Sequence, residues 1–137
     1  LGADVPIFLE QKSGFASGVG EVFEKEHSFK SEYLIISPNF NISTKDLYNS
    51  KFLQTNHAPD RKTNTFLEPL KSESHEFKAF YDYLIGIGGE RFKDKLKLTG
   101  TGSSVFLENP LKDDVELLKK KTKKKFRIFV AKSLEYN

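Results

Sequence analysis

Phe77, Phe80, Tyr81, Leu84 and Ile85 fall at i, i+3, i+4, i+7 and i+8, the spacing of one face of an amphipathic helix. Gly86, Gly88 and Gly89 follow, where a helix of that length is expected to stop. This stripe constrains the fold because of what flanks it. Upstream, Tyr33-Leu34-Ile35-Ile36 is a short apolar run closed by Ser37-Pro38, the pattern of a buried strand. Downstream, Leu96 to Thr101 and Ser104 to Leu107 read as two strands hinged at Gly100 and Gly102. Asn109-Pro110 then predicts an N-cap with proline at the first helical position, and Asp113 and Asp114 suit the first turn of the helix it opens. That helix runs toward the lysines of 119–125, and Phe126 to Ala131 alternates as a last strand. From Tyr33 onward the order is strand, helix, strand, strand, helix, strand. This is the ferredoxin-like α+β pattern, an antiparallel sheet with helices on one face.

The remaining segments are less regular. Val5 to Leu9 reads as a short apolar strand, and glycines 14, 18 and 20 suggest turns or close backbone approach over Ser13 to Glu21. The charged run Glu24 to Lys30 reads as a boundary or an exposed hairpin. Ser43 with Asp46 three residues later resembles a capping box for a short helix through Tyr48. Asn49 to Pro69 reads as an irregular polar loop holding at most a helical turn.

Composition excludes several classes. The 137 residues are 37% hydrophobic and 30% charged, a globular rather than a disordered balance. Thirteen Phe and five Tyr supply a core without any Trp. No apolar run approaches the ~18 residues of a spanning helix, so no membrane span is expected. Without Cys there is no disulfide, thiolate nucleophile or cysteine zinc site. The three histidines share no metal-ligand spacing, and no metal site is expected. A Gly-x-Ser-x-Gly elbow and a Walker-type phosphate loop are both missing from the sequence. A net charge of +3 is too small to demand a nucleic-acid partner. The chain opens at Leu1 and holds no Met, which reads as a piece of a longer protein.

Two segments can carry chemistry. Asp4, between small residues ahead of an apolar strand, is either a cap bonding backbone amides or a carboxylate facing a cleft. In Thr99-Gly100-Thr101-Gly102-Ser103-Ser104, hydroxyls alternate with glycines. The run is either a tight turn or a cradle of N–H and O–H donors for phosphate or sugar oxygens. A third feature is six lysines in the seven positions 119–125, with Phe126 and Phe129 beside them: a solvated helix end, or a grip on nucleic acid.

Taken in order, these segments resemble a known family. Leu1-Gly2-Ala3-Asp4-Val5-Pro6, Phe15-Ala16-x-Gly18-Val19-Gly20-Glu21 and Leu98-Thr99-Gly100-Thr101-Gly102-x-x-Val105-Phe106 are similar to the C-terminal half of the 4-diphosphocytidyl-2-C-methyl-D-erythritol kinases. These are ATP-dependent enzymes of the non-mevalonate isoprenoid pathway, within the GHMP small-molecule kinases. Ile42 to Tyr48 and Phe129 to Lys132 also match family stretches, whereas Thr65-Phe66-Leu67-Glu68-Pro69 departs from a frequent Asn-Asp-Leu-Glu-Pro. No role attached to that asparagine carries over.

The resemblance implies that residues 1–28 are strands left over from the N-terminal kinase domain and 29–137 are the ferredoxin-like C-terminal domain. It implies that Asp4 is the catalytic base for the substrate hydroxyl and that Tyr48 stacks on the cytosine of a cytidine diphosphate substrate. Thr44 is then a contact near the nucleoside, and Thr99, Gly100, Thr101 and Gly102 form the glycine turn that approaches the phosphates. ATP with Mg2+ is the expected cofactor, the cytoplasm the expected location, and the N-terminal domain the expected partner. The family's glycine-rich ATP loop is not in this sequence, so the chain is expected to be inactive alone. The alternatives are another GHMP kinase, acting on mevalonate, homoserine or a sugar, and a ferredoxin-like RNA-binding module; neither a nucleic acid nor a membrane is the expected partner.

Overall fold

The structure, a computed structural model, describes residues 9, 14–17, 22–25, 30–51, 53, 64–122 and 125–134. Contacts divide the chain into two compact units, one of Leu1–Ser31 with Lys132–Asn137 and one of Glu32–Ala131.

In the first unit, β1 (Gly14–Ser17) and β2 (Val22–Lys25) form an antiparallel pair, with Gly14 opposite Lys25 and Ser17 opposite Val22. The glycine-rich stretch is therefore a strand over these four residues rather than a turn. A paired neighbour supplies the ladder hydrogen bonds that offset the poor strand propensity of glycine. The charged run begins inside β2, consistent with a hairpin. Of the strand expected over Val5 to Leu9, only Leu9 is described, and it is helical and exposed. Farther along, Ser31 N donates to Ser133 Oγ at 2.9 Å and Ser133 N donates to Ser31 O at 2.9 Å.

The second unit is built on a four-stranded sheet. Its strands are β3 (Glu32–Ser37), β4 (Leu96–Leu98), β5 (Val105–Glu108) and β6 (Arg127–Lys132), in the spatial order β4-β5-β3-β6. β3 and β5 pair antiparallel with Leu34 opposite Leu107, and β4 and β5 pair antiparallel with Leu98 opposite Val105. This order, with helices between β3 and β4 and between β5 and β6, is the ferredoxin-like arrangement expected from the sequence.

Among the described residues, the helices beside the sheet include α1 (Thr44–Tyr48), α2 (Leu67–Glu73), α3 (His75–Gly88), α4 (Glu90–Lys93) and α5 (Lys112–Thr122). Ser74 ends α2 and caps α3, its Oγ accepting from Phe77 N at 3.1 Å. The apolar stripe of α3 goes where its period directs it. Phe77, Phe80, Tyr81 and Leu84 are buried against Leu34 and Ile36 of β3 and Val105 and Leu107 of β5, with Leu118 of α5. Alternate sheet residues on the other face, Tyr33, Ile35 and Phe106, are half-buried, and the rings of Tyr33 and Phe106 meet edge-on at 5.7 Å.

The helix ends at Gly89, with φ of 61° and its N–H on Ile85 O. Gly88 is required for a different reason. A Cβ there would sit 2.0 Å from the ring of Phe92, which α4 folds back onto it. Two further expectations change. Leu67-Glu68-Pro69 is the first turn of α2, where a proline costs nothing because those N–H groups have no helical acceptor. Asn109 is not a helix cap. It adopts φ of 47° at the end of β5, where its Oδ1 accepts from Glu32 N at 3.0 Å and its N donates to Glu32 O at 2.7 Å. α5 starts three residues later, at Lys112, with Asp113 and Asp114 in its first turn as expected.

Candidate active site

The connection from β4 to β5 carries the glycine turn. Thr99 N donates to Ser104 O at 3.0 Å and Gly102 N donates to Thr99 O at 2.8 Å, which closes the turn on itself. Gly100 and Gly102 have φ of 49° and 90°, a region where a side chain is strained. Gly102 also lacks room, since a Cβ would meet Leu70 Cδ1 at 2.7 Å and Leu98 Cδ1 at 3.2 Å. The turn thus lies tight on the apolar core with its hydroxyls directed elsewhere. Ser103 Oγ donates to Phe40 O at 3.0 Å, and Ser104 Oγ to Ser37 Oγ at 3.0 Å.

α1 approaches the same turn from the other side of the sequence. Ser43 caps it through Oγ, which accepts from Asp46 N at 3.3 Å, and Leu47 buries its inward face. That registry leaves Thr44 and Tyr48 on the outer face, four residues apart and one above the other. The hydroxyl of Thr44 meets that of Thr101 at 3.3 Å. Tyr48 is 62% exposed, yet its ring is not loose: it meets Phe66 edge-on, with centroids 5.1 Å apart and planes at 75°. An exposed ring pinned by one aromatic neighbour is suited to stacking on a flat ligand. The structure therefore brings together Thr44, Tyr48 and the turn Thr99–Gly102. Asp4 lies outside the described residues.

Asn64 was not singled out in the sequence, and it belongs to this cluster. Its Nδ2 donates to Leu98 O at 3.1 Å and Gly100 O at 2.7 Å, while its Oδ1 accepts from Phe66 N at 2.9 Å. Nothing in its polar neighbourhood marks it, because both carbonyl acceptors are supplied by a segment 34 to 36 residues downstream.

A cavity of about 280 Å³ lies beside α1, lined by Ser43, Asp46, Leu47, Leu70, Glu73 and Glu76 among others. None of Thr44, Tyr48 or the turn lines it. Its three carboxylates repel phosphate oxygens, so it is unsuited to the phosphate part of a nucleotide. No group of three or more His, Asp or Glu residues able to hold a cation occurs among the described residues.

At the lysine-rich end of α5 the two nearby rings differ, Phe129 being half exposed. Phe126 is not free for a base, because its ring packs 4.8 Å from Phe80 and 5.9 Å from Tyr83. The ammonium of Lys125 lies 4.9 Å over the Tyr83 ring, while Lys119, Lys120 and Lys121 face solvent. No helix among the described residues is long and apolar enough to cross a membrane.

No protein-family model matches the chain. Individual curated proteins do. A Marinomonas protein named 4-diphosphocytidyl-2-C-methyl-D-erythritol kinase is 31% identical over 140 residues, covering 96% of this chain and 44% of that protein. Proteins of the same name from Francisella tularensis and Chromobacterium violaceum are 32% and 30% identical, covering 99% and 98% of this chain and 50% of each relative. The chain spans about half the length of these relatives. Among solved structures, a crystal structure of 4-(cytidine 5'-diphospho)-2C-methyl-D-erythritol kinase superposes with a TM-score of 0.72 at 19% identity, over 96% of this chain and 53% of that one. At that identity the superposition establishes the fold.

Proposed function

We propose that the chain, which is similar along 96–99% of its own length to proteins named 4-diphosphocytidyl-2-C-methyl-D-erythritol kinase, is the C-terminal portion of such a kinase. In this reading the whole protein phosphorylates the 2-hydroxyl of 4-diphosphocytidyl-2-C-methyl-D-erythritol in the cytoplasm, as a step of isoprenoid synthesis. The observation that carries it to the site is the 3.3 Å contact between the hydroxyls of Thr44 and Thr101, which sets the helix of Tyr48 against the glycine turn. A nucleoside diphosphate substrate needs such a neighbourhood: a flat, partly exposed ring for the base and a tight turn for the phosphates.

The residue roles follow. The ring of Tyr48 stacks on cytosine, held in place by Phe66. Thr44 contacts the nucleoside side of the ligand. The turn Thr99, Gly100, Thr101, Gly102 comes close to the phosphates because its glycines present backbone without a side chain. Asp4 accepts the proton of the 2-hydroxyl as that oxygen attacks the γ-phosphorus, with ADP as leaving group. ATP supplies the phosphoryl group when bound. Among the described residues no group of three His, Asp or Glu is placed to hold its Mg2+. Residues 1–28 are in this reading a remnant of the N-terminal domain and 29–137 the C-terminal one. A glycine-rich ATP loop is missing from the sequence, so the remaining half of the kinase must provide it, and the chain alone is silent.

The test follows ADP release with ATP and the cytidine diphosphate alcohol, comparing this chain with a kinase that carries it joined to the ATP-binding half. The longer protein is expected to turn over, its Asp4→Asn variant to lose activity by 10²-fold or more on the scale of general base catalysis, and the chain alone to release nothing. Tyr48→Ala is expected to raise KM for the cytidine substrate while sparing a non-nucleotide alcohol. An inert long form, or an active Asp4→Asn, overturns the assignment.

A further inference from the structure

We propose that Asn64 is a positioning residue that holds the glycine turn, and that through Phe66 it ties this turn to the ring of Tyr48. Its consequence for catalysis rests on the kinase reading above; its geometry does not.

The hydrogen bonds fix which way the amide points. Leu98 O and Gly100 O can only accept, so the nitrogen of the Asn64 side chain faces the turn with both protons used, and the oxygen faces Phe66 N. Gly100, at φ of 49°, is one of the two glycines of the turn, and its carbonyl takes the shortest of the three bonds, 2.7 Å. The same side chain therefore sets the carbonyl direction of Gly100 and the start of the segment bearing Phe66. Phe66 in turn presents its ring edge-on to Tyr48. On the opposite side, Thr44 holds Thr101. Two residues far apart in the chain thus grip one four-residue turn, and each also belongs to the surroundings of Tyr48. A base bound on that ring and a phosphate bound on that turn would be kept in register by Asn64 and Phe66.

Positioning separates the kinetic constants. Removing the hold on the turn lowers kcat, and removing the support of the ring raises KM. Asn64→Asp is the sharpest variant. It keeps the shape and the acceptor for Phe66 N but sets a carboxylate oxygen against two carbonyl oxygens at hydrogen-bond distance, which pushes the turn away. In the kinase carrying this chain, Asn64→Asp is expected to lower kcat by about 10- to 100-fold, the scale of a misplaced reacting group, with KM for the cytidine alcohol changed by less than about twofold. Asn64→Ala, which loses the bonds without repulsion, should fall between wild type and Asn64→Asp. Phe66→Ala should do the reverse, raising KM with kcat nearly kept.

A second readout uses the 137-residue chain without ligand. In Asn64→Asp the amides of Thr99 to Gly102 should exchange faster with solvent, while those of Leu34 and Leu107 keep their protection. If the wild-type kinase is inert, the kinase reading fails while the exchange data still decide whether Asn64 holds the turn. If the kinase is active and Asn64→Asp leaves kcat unchanged, raises KM alone or harms less than Asn64→Ala, the positioning role is overturned. It is overturned as well if exchange quickens equally in the core, because Asn64 is then a general stabiliser.

Discussion

Tyr81 shows how a single side chain serves two environments. Its ring lies in the core, and its hydroxyl donates to Leu96 O at 3.1 Å, with the Lys71 ammonium 4.8 Å over the ring centroid. Burial pushes its pKa above the usual value, and the nearby carboxylates of Glu68, Asp82 and Asp94 push in the same direction. A phenol whose folded pKa is raised favours the neutral state, so its contribution is complete below about pH 10 and is lost as pH rises through the folded pKa. Tyr81→Phe should therefore cost about 1 kcal/mol at neutral pH through the lost hydrogen bond and flatten the alkaline decline. Thermal melting from pH 8 to 11.5 would show the difference between the variants shrinking above pH 10; a constant difference would contradict the sign. Gly102 makes the complementary point about size. Neither its φ nor the 2.7 Å approach to Leu70 tolerates a side chain, and this is legible as a glycine in the sequence but not as a contact with Leu70.

At the scale of elements, the legible ones carry their own signals. α3 has a period and a stop, α1 has a cap and an acidic residue three positions on, and β3 is a short apolar run closed by proline. Such signals act within one or two turns of chain, so the sequence contains them whole. Ser74 is a further local signal, a serine ahead of Phe77 that caps the longest helix among the described residues through a 3.1 Å bond. Ser74→Ala should cost about 1 kcal/mol, seen as a lower urea midpoint with an unchanged slope. A loss below a few tenths would mean that α3 is held by packing alone. The elements whose local pattern does not show their form depend on partners elsewhere. Gly14–Ser17 is a strand because Val22–Lys25 pairs with it, and Asn109 leaves its capping role because Glu32 offers it two backbone bonds.

At the scale of the molecule, the second unit is joined by a core in which α3 touches strands that arrive before and after it in the chain. Phe77 is fully buried there, and its ring contacts Phe80 and Tyr81. Phe77→Ala is expected to destabilise by about 3–5 kcal/mol, a large share of a domain's margin. Chemical denaturation followed by helix signal and by tyrosine fluorescence should then shift together. Separate midpoints would show that the residues of Glu32–Ala131 do not unfold as one unit. The ferredoxin-like order of this unit followed from the succession of strands and helices, because the few compact ways of packing that succession are fixed by short connections and helices on one face.

The α+β order, the buried stripe of α3, the cap of α1 and the glycines of the turn are legible in the linear order of residues, since each depends on neighbours within a few positions. Folding in three dimensions is what makes Thr44 meet Thr101, Phe66 meet Tyr48, Phe126 turn inward to Phe80, and Asn64 hold Leu98 and Gly100. The reason is that each of these contacts joins segments from about 18 to 57 residues apart, and no local pattern records which distant carbonyl, hydroxyl or ring a side chain will find once the core has closed.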